Sequence, residues 1–230
     1  MEFLNNCIKI TQNLIFPQTC CLCFRETESP FCPACLAQLP RPDDPCPRCA
    51  LAGTGGNVCG HCQSHPPAFD RTVAALDYRP PVNNLIPAMK YRSRLPVLEG
   101  LARILADHIQ DTTRSHPDLL IPVPLHVSRL VTRGFNQSAE IARILGHRLR
   151  IPVTRRAVIK PHRTGSQQGL ATRQRRTNIR GAFASVDSLS GQRVALVDDV
   201  MTTGATLGEL ARTVRRAGAR HIDCWVIARA

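Results

Sequence analysis

Residues 193–208 read RVALVDDVMTTGATLG. The apolar run Val194–Val197 is typical of a short strand buried on both faces, and two adjacent acids, Asp198 and Asp199, end it. A small, hydroxyl-rich loop follows at 202–206. Beyond the loop, apolar residues recur at helical spacing up to a glycine suited to C-capping: Leu207, Leu210, Ala211, Val214, Ala217 and then Gly218. The stretch therefore predicts a strand, a loop and a helix, in that order.

The loop has the composition of a phosphate-binding site. Its hydroxyl groups would add donors to the free backbone NH groups of the helix N-terminus, and its small residues let the backbone approach a phosphate closely. The carboxylates of Asp198 and Asp199 would repel a phosphate, so we expect them to accept hydrogen bonds from the vicinal hydroxyls of a ribose. Together these groups predict a ribose 5-phosphate ligand. The loop residues assigned to it are Thr202, Thr203, Gly204, Ala205 and Thr206.

The same order of residues resembles the phosphoribosyl pyrophosphate (PRPP) signature of type I phosphoribosyltransferases. In that signature an apolar run, two acids and two apolar residues precede a Thr/Gly-rich loop, and Val194–Thr206 fills every position. The resemblance implies catalytic roles for Asp198 and Asp199 and binding of PRPP by the loop. Because successive strand residues point to opposite faces, both acids can contact one ligand only if the strand is already unwinding there.

Length and composition limit the class of protein. The 230 residues suffice for one substantial core and a small module, and the net charge of +13 favours polyanionic partners without naming one. Residues 3–15 show neither a signal pattern nor the apolar run of a membrane span. We interpret them as a short amphipathic helix that packs on its own protein, with membrane attachment as the less favoured alternative. A cytoplasmic protein without a transmembrane segment is expected.

The cysteines between positions 20 and 62 form four C-x-x-C pairs separated by loops rich in Pro and Gly. A C-x-x-C turn directs two thiolates at one centre, and in a reducing cytoplasm a metal explains such pairs better than disulfides do. Sequential pairing of the four turns is favoured, although an interleaved cross-brace would give each metal ion the same number of cysteine ligands. Eight ligands imply two structural zinc ions, held by Cys20, Cys23, Cys32, Cys35, Cys46, Cys49, Cys59 and Cys62.

A linker at Pro66-Pro67 divides the chain into two predicted domains. Residues 1–66 comprise the N-terminal helix and a double zinc-ribbon module, and residues 67–230 form a phosphoribosyltransferase-like domain. Too few apolar residues lie between 20 and 66 to fold without metal, so both zinc sites are expected to be structural. The module is not basic, which does not favour DNA as its ligand, and docking to a partner protein stays open.

The remaining elements predict an α/β fold. Residues 119–124 indicate a second buried strand, and a helix over 138–149 with Ser138 as its cap follows a polar loop. Alternation of strands and helices predicts a type I phosphoribosyltransferase-like, mostly parallel sheet with helices on both faces. The further predicted elements are strands over 73–78 and 221–228, a helix or turn over 82–89 and a helix over 95–109.

The polar loop at 126–137 contains two arginines, Arg129 and Arg133. In an open α/β sheet, ligands collect at the carboxyl ends of the strands, so these arginines are expected near Asp198. A pyrophosphate group needs such cations. We therefore assign Arg129 and Arg133 to the binding of PRPP, together with Mg²⁺ as the accompanying ion.

Residues 129–180 carry thirteen Lys or Arg and a single acid, Glu140. Within this stretch, 162–170 has the Gly and polar content of a mobile loop that would close over a bound pyrophosphate. The charge predicts an anionic ligand, and PRPP alone or PRPP with a nucleic acid both stay open. Phe135 and Phe183 are the only aromatic residues between 129 and 191, so DNA contacts would be to phosphates and strongly salt-dependent.

Taken together, these features resemble the ComF family of competence-related proteins, which join an N-terminal zinc module to a phosphoribosyltransferase domain. The resemblance implies a role in natural transformation, the handling of incoming single-stranded DNA. It also implies a DNA-translocating helicase or recombination-loading protein as partners. The stretches that carry it are the paired cysteines, KYR at 90–92, RGFNQ at 133–137, QQGL at 167–170 with Arg173 and Asn178, and the signature at 197–206.

Three functional hypotheses follow from these patterns. The first is a DNA-uptake factor that binds or uses PRPP. The second is an active phosphoribosyltransferase that transfers ribose 5-phosphate to an unidentified nitrogen acceptor. The third is a binding module that catalyses no reaction. An enzyme specific for a base needs a hood that reads the edges of the base, and we identify no such segment. This favours the first hypothesis over the second.

Overall fold

The computed structural model describes residues 19–89, 95–113, 115–161 and 179–230. Its main elements are four strands and five helices of the predicted α/β domain, which follow two short helices in the cysteine-rich region. The expectations for residues 3–15, 90–92 and 162–170 lie outside the described residues. In chain order the elements are α1 (Pro33–Ala37), α2 (Gly60–Ser64), β1 (Arg71–Asp77), α3 (Val82–Ala88), α4 (Leu95–Thr112), β2 (Leu119–Pro122), α5 (Val127–Arg133), α6 (Gln137–Leu149), β3 (Val158–Ile159), β4 (Ala184–Ser185), β5 (Arg193–Met201), α7 (Ala205–Arg216) and β6 (His221–Arg229).

The central sheet has the order β1-β6-β5-β2, and every pairing in it is parallel. β5 and β6 are the inner strands, and their near-continuous apolar runs are the pattern expected of strands buried on both faces. β3 and β4 form a separate antiparallel pair. The predicted mostly parallel sheet is confirmed.

Helices cover both faces of the sheet. One core joins α4 and α6 to the first face, with Leu101, Leu105 and Ile141 fully buried in it. The second core joins α7 to the other face through Leu210 and Val214. Because β2 and β5 are parallel neighbours, the loops that follow them gather at the same carboxyl edge of the sheet.

The cysteine-rich region covers the outer edge of β1. The backbone NH of Asp77 donates to the Pro40 carbonyl at 2.9 Å, and that of Thr72 donates to the Pro47 carbonyl at 3.3 Å. A parallel sheet would otherwise expose a row of unpaired NH and carbonyl groups at this strand. Among the described residues, no helix has the length and apolar character needed to cross a membrane.

Three local expectations were wrong in detail. β5 runs on to Met201 instead of ending before Asp198, because hydrogen bonding to β6 continues to the pair Met201–Arg229. The segment expected to be a polar loop at 126–137 contains the helix α5, which His126 caps by accepting from the Ser128 NH at 3.2 Å. Asn136, not Ser138, is the N-cap of α6.

Candidate functional site: the carboxyl edge of β5

The acid pair lies at the carboxyl end of β5, where the start of α6 meets the sheet. The Ser138 hydroxyl donates to Asp198 Oδ1 at 2.8 Å, and the Asp199 NH donates to the same oxygen at 3.0 Å. The Val200 NH donates to Asp199 Oδ1 at 2.8 Å. Both carboxylates are therefore held by short-range donors, and both residues are half-buried.

The alternation of side chains along β5 breaks at the acid pair. Val197 and Val200 pack into the same core, on the α4–α6 face, although residues three apart in a regular strand point to opposite faces. Met201 packs into the other core, with α7. The local irregularity that a shared ligand requires is thus present at Asp198 and Asp199, even though pairing with β6 continues beyond them.

Burial raises the pKa of Asp198 to about 8, and the neighbouring charge of Asp199 acts in the same direction. The hydrogen bond from Ser138 and the charge of Lys160 oppose this rise. Asp198 is therefore harder to ionise than an ordinary aspartate in the absence of a ligand. A cation or a hydroxyl donor at this edge would favour the carboxylate form.

Asn136, within the RGFNQ stretch, fixes the start of α6, the helix that contacts Asp198 through Ser138. Asn136 Oδ1 accepts from the Ala139 NH at 3.4 Å, and Asn136 Nδ2 donates to the Val123 carbonyl at 3.0 Å. One side chain thus caps α6 and ties it to the chain that leaves β2. Because Asn136 supplies the cap, the Ser138 hydroxyl is available to Asp198.

The loop between β5 and α7 leaves the helix N-terminus open to an anion. Gly204 is the N-cap with φ +71°, a left-handed conformation that favours glycine, and it forms no side-chain cap. Thr203 Oγ1 accepts from the Ala205 NH at 3.4 Å. No acid occupies the first turn of α7. Thr202 is exposed, and the other four predicted loop ligands are half-buried.

The predicted pyrophosphate ligands can be placed only by their backbone. Arg129 and Arg133 belong to α5, which follows β2, the neighbour of β5 in the sheet. Their side chains lie outside the described part of the structure. The backbone of α5 is therefore at the expected edge, and the assignment of the two guanidinium groups stays a prediction.

The eight predicted cysteines form two compact sets. Within each set the four sulfur atoms lie within 4.8 Å of one another, and the sets follow the sequential arrangement. A tetrahedral zinc ion with Zn–S bonds of about 2.3 Å needs sulfurs that close together. The first cluster is Cys20, Cys23, Cys32 and Cys35, and the second cluster is Cys46, Cys49, Cys59 and Cys62.

Backbone donors prepare one cysteine of each cluster to bind a metal as thiolate. Burial would raise the pKa of Cys20, but backbone NH groups, among them that of Cys32 at 3.4 Å, outweigh it and lower the pKa to about 6. Cys46 shows the same balance, and its pKa is lowered to about 7. The Cys59 NH donates to Cys46 Sγ at 3.3 Å. The donor set therefore fits zinc at both clusters.

Arg229, at the end of β6, links the second cluster to the loop. Its Nε donates to the Cys49 carbonyl at 2.8 Å, and its Nη1 donates to the carbonyls of Met201 at 3.1 Å and Thr202 at 2.6 Å. Sequence reasoning missed this residue, because a lone arginine after an apolar strand carries no local signal of its partners. Only the tertiary arrangement brings Cys49 and Thr202 to one guanidinium group.

The comparisons with known proteins agree with this architecture. Residues 91–230 match the family model of the phosphoribosyl transferase domain, and residues 11–63 match that of the double zinc ribbon domain. Competence protein F of Haemophilus influenzae is 33% identical, with 100% of each chain covered. DNA utilization protein YhgH of Escherichia coli is 34% identical and covers 80% of this chain and 83% of its own.

A glutamine PRPP amidotransferase from B. subtilis is among the structural neighbours, at a TM-score of 0.40 and 21% identity, over 58% of this chain and 27% of the other. The classification rests on the two family matches and on the Haemophilus influenzae relative, which is matched over its whole length. The chain belongs to the ComF family of competence-related proteins, which combine a double zinc ribbon with a phosphoribosyl transferase domain.

Proposed function

We propose that the protein binds PRPP with Mg²⁺ at the carboxyl edge of β5 and acts in DNA uptake and single-stranded DNA handling during natural transformation. The observation that carries the PRPP site is the contact between Ser138 and Asp198 at 2.8 Å. It joins the start of α6 to the acid pair, beside the open N-terminus of α7. The family match to a phosphoribosyl transferase domain supports the same site.

Each part of PRPP has chemically suitable neighbours in this arrangement. The 5-phosphate would accept hydrogen bonds from the backbone and hydroxyls of 202–206, and the ribose hydroxyls would donate to Asp198 and Asp199. Arg129 and Arg133 are proposed to bind the pyrophosphate. Mg²⁺ bound with PRPP near Asp198 and Asp199 would neutralise charge on the phosphates.

Hydrogen–deuterium exchange would test whether PRPP binds at the proposed site. Addition of PRPP and Mg²⁺ should slow amide exchange in peptides that span 202–208 and the start of α6. The Asp198→Asn/Asp199→Asn variant should lose this protection. Asp118→Asn is a matched control, because Asp118 lies at the opposite end of the sheet, where it accepts from the Arg193 NH at 2.8 Å. Protection in the double variant, or none in the wild type, would contradict the site.

The role in DNA uptake rests on the relatives, whose names are competence protein F and DNA utilization protein. The basic stretch 129–180 supplies charge for contacts to DNA phosphates. In a transformable host that lacks its own relative, this chain should restore transformation frequency, and the Asp198→Asn/Asp199→Asn variant should not. Full restoration by that variant would separate DNA uptake from the PRPP site.

Catalytic transfer is the second candidate, favoured by the match of residues 91–230 to the phosphoribosyl transferase domain. A nitrogen nucleophile would attack C1 of PRPP, and the C1–O bond would break with pyrophosphate as the leaving group. Donors on α5, which follows β2, would stabilise the negative charge of that group. Pyrophosphate release that depends on an added nitrogen acceptor and on Asp198 would establish this activity. PRPP binding without release would leave the binding function.

A further inference from the structure

His126 lies three residues beyond Val123, in the chain that leaves β2 and enters α5. The Val123 NH donates to the Val197 carbonyl at 2.9 Å, and Val197 directly precedes Asp198. Three residues span at most about 11 Å, so the backbone of His126 stays within that distance of Val123. His126 therefore lies at the same carboxyl edge of the sheet as the acid pair.

The segment that carries His126 is held in place on both sides of α5. Val123 precedes the helix and Asn136 follows it, and Asn136 Nδ2 donates to the Val123 carbonyl at 3.0 Å. The same Asn136 caps α6, whose Ser138 contacts Asp198. The position of His126 relative to the acid pair is thus set by hydrogen bonds among residues of this edge.

The hydrogen bonds of the imidazole ring fix its tautomer. The backbone NH of Ser128 can only donate, and it donates to His126 Nδ1 at 3.2 Å. A ring nitrogen that accepts carries no proton, so the proton of the neutral ring is on Nε2. The Ser128 hydroxyl lies 2.8 Å from the same Nδ1 and acts as a second donor to it.

The other ring nitrogen is a donor without an acceptor in the described part of the chain. His126 is half-buried, both of its hydrogen bonds to described residues are made by Nδ1, and residues 119–139 include no acid. Capping α5 does not require a histidine, because Asn, Asp, Ser and Thr are the preferred N-caps. What histidine adds to a cap is the Nε2–H group on the far side of the ring, which suits an anion.

We propose that His126 is a further binding residue for the pyrophosphate group of PRPP, to which Nε2 donates a hydrogen bond. The inference rests on the proposed PRPP site and adds a neutral donor to Arg129 and Arg133. A hydrogen bond to a charged oxygen is roughly twice as strong as one between neutral groups, so the contact is expected to affect affinity. The Ser128 NH is the positioning group, because it holds the ring in the tautomer that donates.

Two substitutions separate the donor from the cap. In His126→Asn the amide oxygen replaces Nδ1 as the acceptor for the Ser128 NH, and the donor at Nε2 is lost. In His126→Gln the longer side chain carries its NH₂ group to about the position of Nε2, and the cap is lost. His126→Ala removes both functions. His147→Asn is the matched control, because His147 is exposed near the opposite end of α6.

The test is a calorimetric titration of the zinc-loaded full chain with PRPP, with inorganic pyrophosphate and with ribose 5-phosphate, each in the presence of Mg²⁺. His126→Asn should bind PRPP and pyrophosphate about ten times more weakly than the wild type, and ribose 5-phosphate equally well. His126→Gln should bind PRPP more tightly than His126→Ala does. Amide exchange over 127–133 should nevertheless be slower in His126→Asn than in His126→Gln, because only the former keeps the cap.

Equal PRPP affinity in His126→Asn and the wild type would overturn the inference and leave His126 as a helix cap. An equal loss of affinity for PRPP and for ribose 5-phosphate would overturn it too, since the effect would then not be specific to pyrophosphate. A wild type that binds no PRPP would contradict the proposed site itself, and the inference with it. Zinc content and thermal unfolding of each variant show that the comparison is between folded proteins.

Discussion

The two cysteine clusters meet the phosphoribosyltransferase-like domain in different ways. Beside the first cluster, Phe31 is 2% exposed and packs against α4. A Cβ at Gly100 would lie 2.5 Å from Phe31 Cε2, so the helix approaches the ring as closely as glycine allows. The second cluster adds directional polar contacts: Thr72 Oγ1 donates to the Arg48 carbonyl at 2.7 Å, and Arg229 Nε donates to the Cys49 carbonyl at 2.8 Å.

The two kinds of contact have different consequences, one for the stability of the protein and the other for the geometry of the loop after β5. Apolar burial is non-directional, so the contact of Phe31 with α4 contributes to the free energy of folding without fixing any particular loop. Hydrogen bonds are directional, and those of Arg229 end on the two carbonyls that open the loop, Met201 and Thr202. Damage near the first cluster should lower stability, and damage near the second cluster should alter PRPP binding.

Removal of zinc is expected to have the largest effect and to act on both clusters. Structural zinc contributes about 10–16 kcal/mol in small zinc-finger peptides, and the cysteine-rich region has little core of its own. A strong chelator should therefore unfold residues 20–66, as measured by amide exchange alongside the release of zinc. The metal content before chelation should be two zinc ions per chain. A content well below two would contradict the two-site account.

Phe31→Ala should lower the free energy of unfolding by about 3–5 kcal/mol, because it removes a buried aromatic ring and leaves a cavity against Gly100. The affinity for PRPP in the remaining folded protein should not change. Phe24→Ala is the control within the same module, since Phe24 is 72% exposed. Urea unfolding measures the stability, and a loss of PRPP affinity in Phe31→Ala would break the proposed separation.

Arg229→Lys should weaken PRPP binding about tenfold. Lysine keeps the charge but cannot reach three carbonyls with one planar group, and a charge-assisted hydrogen bond contributes about 1.5–3 kcal/mol. Arg220→Lys serves as the exposed control. Calorimetry of both variants measures the effect. Equal PRPP affinity in Arg229→Lys and wild type would show that the second cluster does not position the loop.

The acid pair should also be distinguishable from both clusters by pH. The carboxyl group of Asp198 has a pKa raised to about 8 in the folded protein, against 3.8 as its ordinary value. Between these values the unfolded chain releases a proton that the folded protein retains, so rising pH disfavours the folded state at this residue. The free energy of unfolding of wild type relative to Asp198→Asn should therefore fall from about pH 4 to pH 8. Parallel pH profiles of the two proteins would contradict the raised pKa.

The sequence alone predicted what depends on local pattern. The apolar run before Asp198, the small loop and the helical spacing after it indicate a strand, a loop and a helix because each signal is contained within a few residues. The C-x-x-C turns likewise predict both clusters, since the ligand spacing is fixed within each turn. These local rules account for the elements that form the candidate site.

The sequence could not predict features that depend on competition between two possible helix caps or on contacts between residues far apart in the chain. Asn136 and Ser138 can both cap a helix, and the Asn136 side chain also donates to the carbonyl of Val123, which follows β2. The extension of β5 to Met201 depends on pairing with β6. Arg229 contacts Cys49, 180 positions away in the chain, and no sequence pattern encodes that contact.

The most direct test of the proposed site is a calorimetric titration of the zinc-loaded protein with PRPP in the presence of Mg²⁺, beside the Asp198→Asn/Asp199→Asn variant. The account predicts saturable binding of one PRPP per chain to the wild type and its loss in the variant, with zinc content and thermal unfolding retained. Absence of binding to the wild type, or equal binding to the variant, would contradict it.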